Sequence, residues 1–346
     1  MSCSSPLGVW YDGINPVTGK RVMSFRPNLG KGHLVNQPHD YVACGQCLGC
    51  RLDHAKFWQN RCLMEMQDHN QTWFLTLTYD DDHLPLRSYE CFDWPDPATG
   101  EVRSVPCATL DLDSIQKWKK RLSKAWSYRS DKSLRFFGCG EYGDSTHRPH
   151  YHFLVFGLDL DESELQYYKT SRAGAVNNKL YNCDWISKTW SNGYVVLAKG
   201  SYETAGYIAR YVLKKRVGID KEFYERFNID PPFINMSRRP GIGLPYLDSV
   251  TEVIVTDDGI DDIVISTEKG AKRITVSGYM LDKLANVYPE IVDRTKDMRR
   301  AFMDDRKATM KQSSDMPYVY QLQRNGELLE AKTKSLMLRG AADIEK

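Results

Sequence analysis

Two histidines stand two positions apart in RPHYHFLVFG, residues 148–157. The FLVF that follows them reads as a strand buried on both faces, and on a strand positions i and i+2 share a face. His150 and His152 are then neighbours, and two imidazoles so placed are either packed, hydrogen-bonded core residues or a pair of metal ligands. A second reactive group lies in GYIARYVLKK, residues 206–215. At about 100° per residue, Tyr207, Tyr211 and Lys214 fall within roughly 60°, with Arg210 at the edge. Ala205, Ile208, Ala209 and Val212 take the opposite side. An ordinary amphipathic helix buries its tyrosines with its aliphatics, whereas these sit with cations. A phenol, with an unperturbed pKa of about 10, is a weak nucleophile near neutrality, but positive charge nearby and a metal on the electrophile bring it into play. The matching electrophile is a phosphodiester, its non-bridging oxygens clamped by Lys214 and a divalent ion. Two tyrosines on one face allow two successive transfers. The bland alternative is a solvated basic helix with two surface phenols.

A third cluster is Cys44, Cys47 and Cys50, a C-x₂-C-x₂-C run. Three thiolates leave a tetrahedral zinc site one ligand short, and Cys3 and His54 are the candidates for the fourth. The run also matches part of a ferredoxin signature, but the fourth cysteine and its following proline are missing. Unliganded, reduced thiols are the remaining reading. Zinc here would staple the N-terminal segment to the core and take no part in chemistry. His147 extends the histidine pair to HxxHxH, but its loop position argues for a solvated residue. GINPVTGKR, residues 13–21, has one residue too many between glycines for a phosphate loop, and Arg21 where Ser or Thr is needed, so no nucleotide hydrolysis is expected.

These groups need a scaffold. The chain has 346 residues, 41% apolar and 27% charged, enough for one large domain with additions or for two domains. Its net charge of +2 is too small to argue nucleic-acid binding by itself. No apolar run reaches 18 residues and the start lacks a secretory pattern, so a cytoplasmic protein with no membrane partner is expected. Nine cysteines, an odd number, suit a reducing compartment and metal binding better than disulfides. Three zones follow: an N-terminal segment, 1–70, with the cysteines and a helix; a β-rich core, 71–216; and a C-terminal extension, 217–346. Strands are expected at 73–80, in RFFGCGEYG and PHYHFLVFG as an antiparallel pair, and at 194–198. A helix follows LDLD, with Asp113 as its cap and Ile115, Trp118, Leu122 and Trp126 as its apolar stripe. Residues 252–277 read as a meander of three short strands. Pro289 opens a helix to about 311 whose Ile291, Met298 and Phe302 are expected to pack on the rest of the protein.

In chain order, FLTLTY (74–79), GEYG with PHYHF (140–153) and YIARYVLKK (207–215) resemble the HUH endonucleases that start rolling-circle replication. Most closely they resemble the two-tyrosine initiators of small microviruses of the gokushovirus type; CGQCLGCR (44–51), KRL (120–122) and SRRPGIG (237–243) add to the likeness. The resemblance covers most of residues 1–245. It implies an α+β fold, with a central antiparallel sheet flanked by helices in an RRM-like core. It implies that His150, His152 and Glu141 bind Mg²⁺ or Mn²⁺, that Tyr207 and Tyr211 are the nucleophiles, and that Lys214 assists. The implied reaction is nicking of single-stranded origin DNA through a 5′-phosphotyrosine, then rejoining. A host helicase and DNA polymerase would be partners in the bacterial cytoplasm.

DNA contacts are expected from Arg210 and Lys215, from Arg238 and Arg239 in a turn-prone loop, and from the face carrying Lys117, Lys119, Lys120, Arg121 and Lys124. Phe233 and Tyr246 are expected to be exposed and to stack bases. Two other readings stand beside this one: a transposase or plasmid relaxase of the same chemistry, and a non-catalytic zinc-containing nucleic-acid-binding protein.

Overall fold

Alternation in TWFLTLTY sets the frame of the molecule, seen here in a computed structural model. Residues 3–17, 21–25, 38–92, 99–143, 146–171, 178–214, 219–267 and 270–342 are described, the side chains at 210–214, 219–221 and 334–342 excepted. In the strand Thr72–Tyr79, Trp73, Leu75, Leu77 and Tyr79 are buried, while Phe74, Thr76 and Thr78 face the other way and are half-buried. Each side of the strand thus meets a different layer, as its period of two requires.

The chain divides into two compact units, Met1–Asp53 with Met298–Lys346, and His54–Asp297. The second contains a seven-stranded sheet, all of whose neighbours pair antiparallel. Its order is Phe233–Met236, Arg135–Tyr142, Pro149–Phe156, Thr72–Tyr79, Gly193–Lys199, Asn178–Asn182, Gln166–Ser171. The expected α+β class, the strand pair and the strand at 194–198 are all present.

One face of the sheet buries Trp73, Leu75, Leu77, Tyr151, Phe153 and Val155 against the helix Leu112–Ser127, whose Ile115, Trp118, Leu122 and Trp126 are buried as the stripe predicts. The cap is not Asp113 but Asp111. Its Oδ1 accepts from the Asp113 amide at 2.9 Å and its Oδ2 from Ser114 Oγ at 2.5 Å. Asp113 lies inside the first turn and pairs with Lys117 instead.

The opposite face packs Phe137, Cys139, Leu154 and Phe156 against Cys62 of the helix Leu48–Gln67 and against Ala205 and Ile208 of the helix Tyr202–Lys214. Gly206 lets these two helices close up, since a Cβ there would lie 2.5 Å from Gln59 Nε2, which donates to the Tyr202 carbonyl at 2.8 Å. Below them, buried Glu65 accepts from Arg135 Nε and from the Gly243 amide. Burial opposes its ionisation, but hydrogen bonds from His69, Arg135 and Gly243 hold its carboxyl below the usual range.

A third cluster joins Leu63 and Met64 to the helix Leu244–Ile254 and to residues 260–292. The meander is realised as two hairpins, Val255–Thr256 with Gly259–Ile260 and Ile263–Thr267 with Gly270–Ile274, four strands rather than three. The helix Pro289–Gln312 starts where Pro289 predicts, but Met298 and Phe302 are exposed. Val292 and Thr295 are buried instead, Thr295 Oγ1 accepting from the Ile260 amide at 3.0 Å.

In the first unit the strand Leu7–Ile14 pairs with Arg21–Ser24 and Asp40–Val42. Lys307 Nζ contacts Asp40 Oδ1 at 2.9 Å, and the rings of Tyr41 and Tyr318 lie 6.3 Å apart. The helix Tyr318–Ala342 is an element that the sequence reading lacks. No helix among the described residues is long and apolar enough to cross a membrane.

Candidate functional site

Register builds the site. Glu141 lies directly opposite His150, and Cys139 opposite His152, across the pair Arg135–Tyr142 and Pro149–Phe156. On the other side Thr76 lies opposite His152 and Thr78 opposite His150. Directly opposed residues share a face, so the carboxylate and both imidazoles stand together on the side facing the helix Tyr202–Lys214. His150 Nε2 is 2.9 Å and His152 Nε2 3.1 Å from the same Glu141 Oε1. The rings lie 5.0 Å apart at 83°. One ligand atom from each residue lies within 4.8 Å of the others.

Each imidazole is oriented through its other nitrogen. His150 Nδ1 is 3.2 Å from the Arg148 carbonyl, which can only accept, so Nδ1 donates and Nε2 keeps its lone pair for a ligand role. His152 Nδ1 is 3.0 Å from Thr76 Oγ1. Partners of this kind fix the ring orientation of metal-binding histidines. Phe74 stacks on His152 at 5.3 Å and 19°. Glu141 and His152 are buried and His150 is partly open. Burial alone would raise the Glu141 carboxyl, but hydrogen bonds from His150 and His152 and their positive charge outweigh it and hold it at about 2.

The helix Tyr202–Lys214 brings Tyr207 to this cluster. Ala205, Ile208 and Ala209 are buried beneath it, the segregation that the sequence predicts. The Tyr207 ring meets His152 edge-on at 5.3 Å and 86°, and Phe74 at 5.8 Å. Tyr207 remains 37% exposed, open to a ligand. Tyr211 and Lys214 follow one and two turns later on the same backbone, but their side chains and that of Arg210 lie outside the described residues, as does Lys215 altogether. Two participants went unread in the sequence, Thr76 and Phe74. Their signal is the alternation of the strand Thr72–Tyr79, which puts even-numbered residues on one face; that this face is the histidines' face depends on pairing no local motif encodes.

Cys44, Cys47 and Cys50 come together with Cys3, all four Sγ atoms within 4.8 Å of one another. Of the two candidates for a fourth ligand, Cys3 joins, while His54 Nε2 accepts from Trp58 Nε1 at 3.2 Å. His147 is exposed, outside the histidine cluster. Arg238 and Arg239 are exposed in the turn after Phe233–Met236. Phe233 and Tyr246 are not exposed platforms: Phe233 packs against Tyr151 at 6.1 Å, and Tyr246 packs on the third core. Two of the helix cations are likewise engaged, Lys119 with Asn235 Oδ1 at 2.6 Å and Arg121 with the Thr189 carbonyl at 2.7 Å.

Residues 72–216, which span the sheet and the tyrosine helix, match the family model of the replication-associated protein ORF2. The replication-associated protein ORF2 of Spiroplasma virus 4 is 33% identical over 259 residues, 73% of this chain and 70% of that protein. The replication-associated protein VP4 of Bdellovibrio phage phiMH2K is 28% identical over 60% of this chain and 58% of its own length. For the replication-associated protein ORF4 of Chlamydia phage 1, 30% identity covers 54% of this chain and 41% of that protein. No solved structure matches the chain. With sheet, histidines, carboxylate and tyrosine helix inside the matched segment, the chain belongs to the family of the replication-associated protein ORF2.

Proposed function

We propose that this protein starts rolling-circle replication of a single-stranded DNA phage by nicking and rejoining its origin. The observation that carries the reading is the convergence of Glu141, His150 and His152 beneath the ring of Tyr207. Two imidazoles and one carboxylate suit a divalent cation with open positions. Glu141, His150 and His152 would hold Mg²⁺ or Mn²⁺, which supplies positive charge to polarise a scissile phosphate. The Tyr207 hydroxyl loses its proton and attacks phosphorus; an O–P bond forms and the P–O3′ bond breaks. The departing oxygen takes up a proton as a free 3′-OH, from which a host polymerase extends. The 5′-phosphate stays on tyrosine, so the bond energy is conserved. Tyr211, one turn on, cleaves the regenerated junction in the same way, and the released 3′-OH reverses the first link to close a circle. Lys214 supplies charge near the phosphate, and Arg210, Lys215, Arg238 and Arg239 contact the DNA backbone. A host helicase separates the strands in the bacterial cytoplasm.

The test is incubation with Mn²⁺ and single-stranded oligonucleotides tiling the phage genome, read as a covalent protein–DNA adduct on a denaturing gel. The wild type is expected to form an adduct at one site, and Tyr207→Phe with Tyr211→Phe none. DNA binding without any wild-type adduct would overturn the reading in favour of a non-catalytic binding protein.

A further inference from the structure

We infer that Cys3, Cys44, Cys47 and Cys50 form a closed, structural tetrathiolate zinc site that ties the start of the described chain to the first turn of the helix Leu48–Gln67. The distances carry the inference. Cys3 Sγ lies 3.5 Å from Cys44 Sγ and 3.8 Å from Cys47 Sγ, and Cys44 Sγ lies 4.0 Å from Cys50 Sγ. A tetrahedron with Zn–S bonds of about 2.3 Å has edges of about 3.8 Å. Disulfides need S–S of about 2.05 Å, so these sulfurs are unbonded to one another, and all nine cysteines are free. A multinuclear iron–sulfur cluster holds one thiolate on each of several irons, which spreads the sulfurs well beyond a single tetrahedron.

Backbone geometry supports thiolates over thiols. The Ser4 amide donates to Cys47 Sγ at 3.3 Å and the Cys44 amide to Cys3 Sγ at 3.3 Å. The amides of Gln46 and Cys47 both point at Cys44 Sγ, at 3.4 and 3.3 Å. That double donation needs the chain to turn sharply between Cys44 and Cys47, and Gly45 provides it at φ +75°, a conformation other residues rarely adopt. Cys50 lies in the first turn of a 20-residue helix, where unsatisfied amides favour negative charge. Cys3 and Cys50 are buried. Four sulfurs close the coordination sphere, leaving no position for water or substrate, so the ion holds structure and does no chemistry. Its contribution is topological: it closes a loop of 41 residues between Cys3 and Cys44 in sequence separation.

The experiment needs no DNA and is independent of the proposed nuclease. The full chain is purified under reducing conditions, dialysed against EDTA and assayed for metals, then reconstituted with Co²⁺. About one equivalent of zinc per chain is expected to survive dialysis, and the cobalt form to show intense thiolate-to-metal charge transfer with tetrahedral ligand-field bands. With zinc bound, alkylation mapped by mass spectrometry is expected to spare Cys3, Cys44, Cys47 and Cys50. Cys44→Ser with Cys47→Ser should bring retained zinc below about a tenth of an equivalent; His150→Ala with His152→Ala should leave the charge-transfer band in place. Wild-type protein that retains no zinc and gives no cobalt–thiolate band overturns the inference even if the serine variant fails to fold. Retained iron, or ready alkylation of all four thiols in the zinc-loaded protein, overturns it as well.

Discussion

In the sheet cluster Glu141 is the counter-charge for its own neighbours, accepting from both His150 and His152. In the cysteine cluster no side chain plays that part: four sulfurs face one another, and the compensation on hand is a set of backbone amides. The first cluster is therefore stable without an ion, and the second needs one. Their frames differ in the same sense. The sheet residues are fixed by a continuous antiparallel ladder, buried on both faces, while the cysteines are fixed by a single turn and a helix end. An ion on the sheet is a replaceable reagent, and the ion among the cysteines is part of the fold.

Removing each metal in turn tests this contrast most severely. Stripping zinc with a strong chelator under reducing conditions should speed amide exchange in Leu7–Ile14 and at residues 44–50 by about ten-thousandfold, the equivalent of about 5 kcal/mol of local stability. Removal of Mg²⁺ or Mn²⁺ should leave exchange in Arg135–Tyr142 and Pro149–Phe156 within about threefold. Equal responses from the two regions, by exchange mass spectrometry, would erase the distinction.

The next largest effect concerns activity. EDTA that leaves zinc in place should lower adduct formation by about a thousandfold, and added Mn²⁺ should restore it, because the charge that polarises the phosphate is lost and regained. His150→Ala with His152→Ala should do the same without rescue. Adduct formation that persists in EDTA would move the chemistry away from the sheet cluster.

A smaller effect comes from the self-compensation of Glu141. Its folded carboxyl is held at about 2, against an ordinary 4.5. A depressed carboxyl stabilises the folded state fully above the unfolded value and loses that contribution as pH falls through the folded one. Metal-free Glu141→Gln should thus be less stable than wild type by on the order of 2 kcal/mol at pH 7, the gap closing as pH falls from about 4.5 toward 2. Chemical denaturation at a series of pH values reads this directly; a gap that does not change with pH would mean lost packing, not lost charge.

The two clusters were also legible to different degrees. The cysteine run announces itself by spacing, yet its fourth member could not be chosen between Cys3 and His54, since proximity across 41 residues is set by strands that the turn-rich start conceals. LGVWYDGI breaks alternation with Gly8 and Gly13 and reads poorly as a strand. The histidines and Glu141 were readable because a period of two and one short loop decide who faces whom. Local rules failed where tertiary partners chose. LDLD offers two capping aspartates, and the one whose carboxylate reaches the amide two residues on is Asp111. In Pro289–Gln312 the buried side follows Thr295, which bonds the Ile260 amide, and not the more apolar Met298 and Phe302.

The finest test separates the sheet cluster's ligands from the group that aims one of them. If His152 binds through Nε2, its Nδ1–H donates to Thr76 Oγ1, the 3.0 Å contact on the neighbouring strand. Valine has the shape of threonine without the acceptor, so Thr76→Val keeps the strand and the packing against Phe74 but frees the ring to turn or change tautomer. The apparent Kd for Mn²⁺, measured by paramagnetic relaxation, should rise about tenfold, while adduct formation at saturating Mn²⁺ changes by less than about threefold. Thr76→Ser restores the acceptor and should restore the affinity. A loss at saturating metal that serine does not rescue would mean that Thr76 acts through packing, and the imidazole would then owe its aim to Phe74 and Glu141 alone.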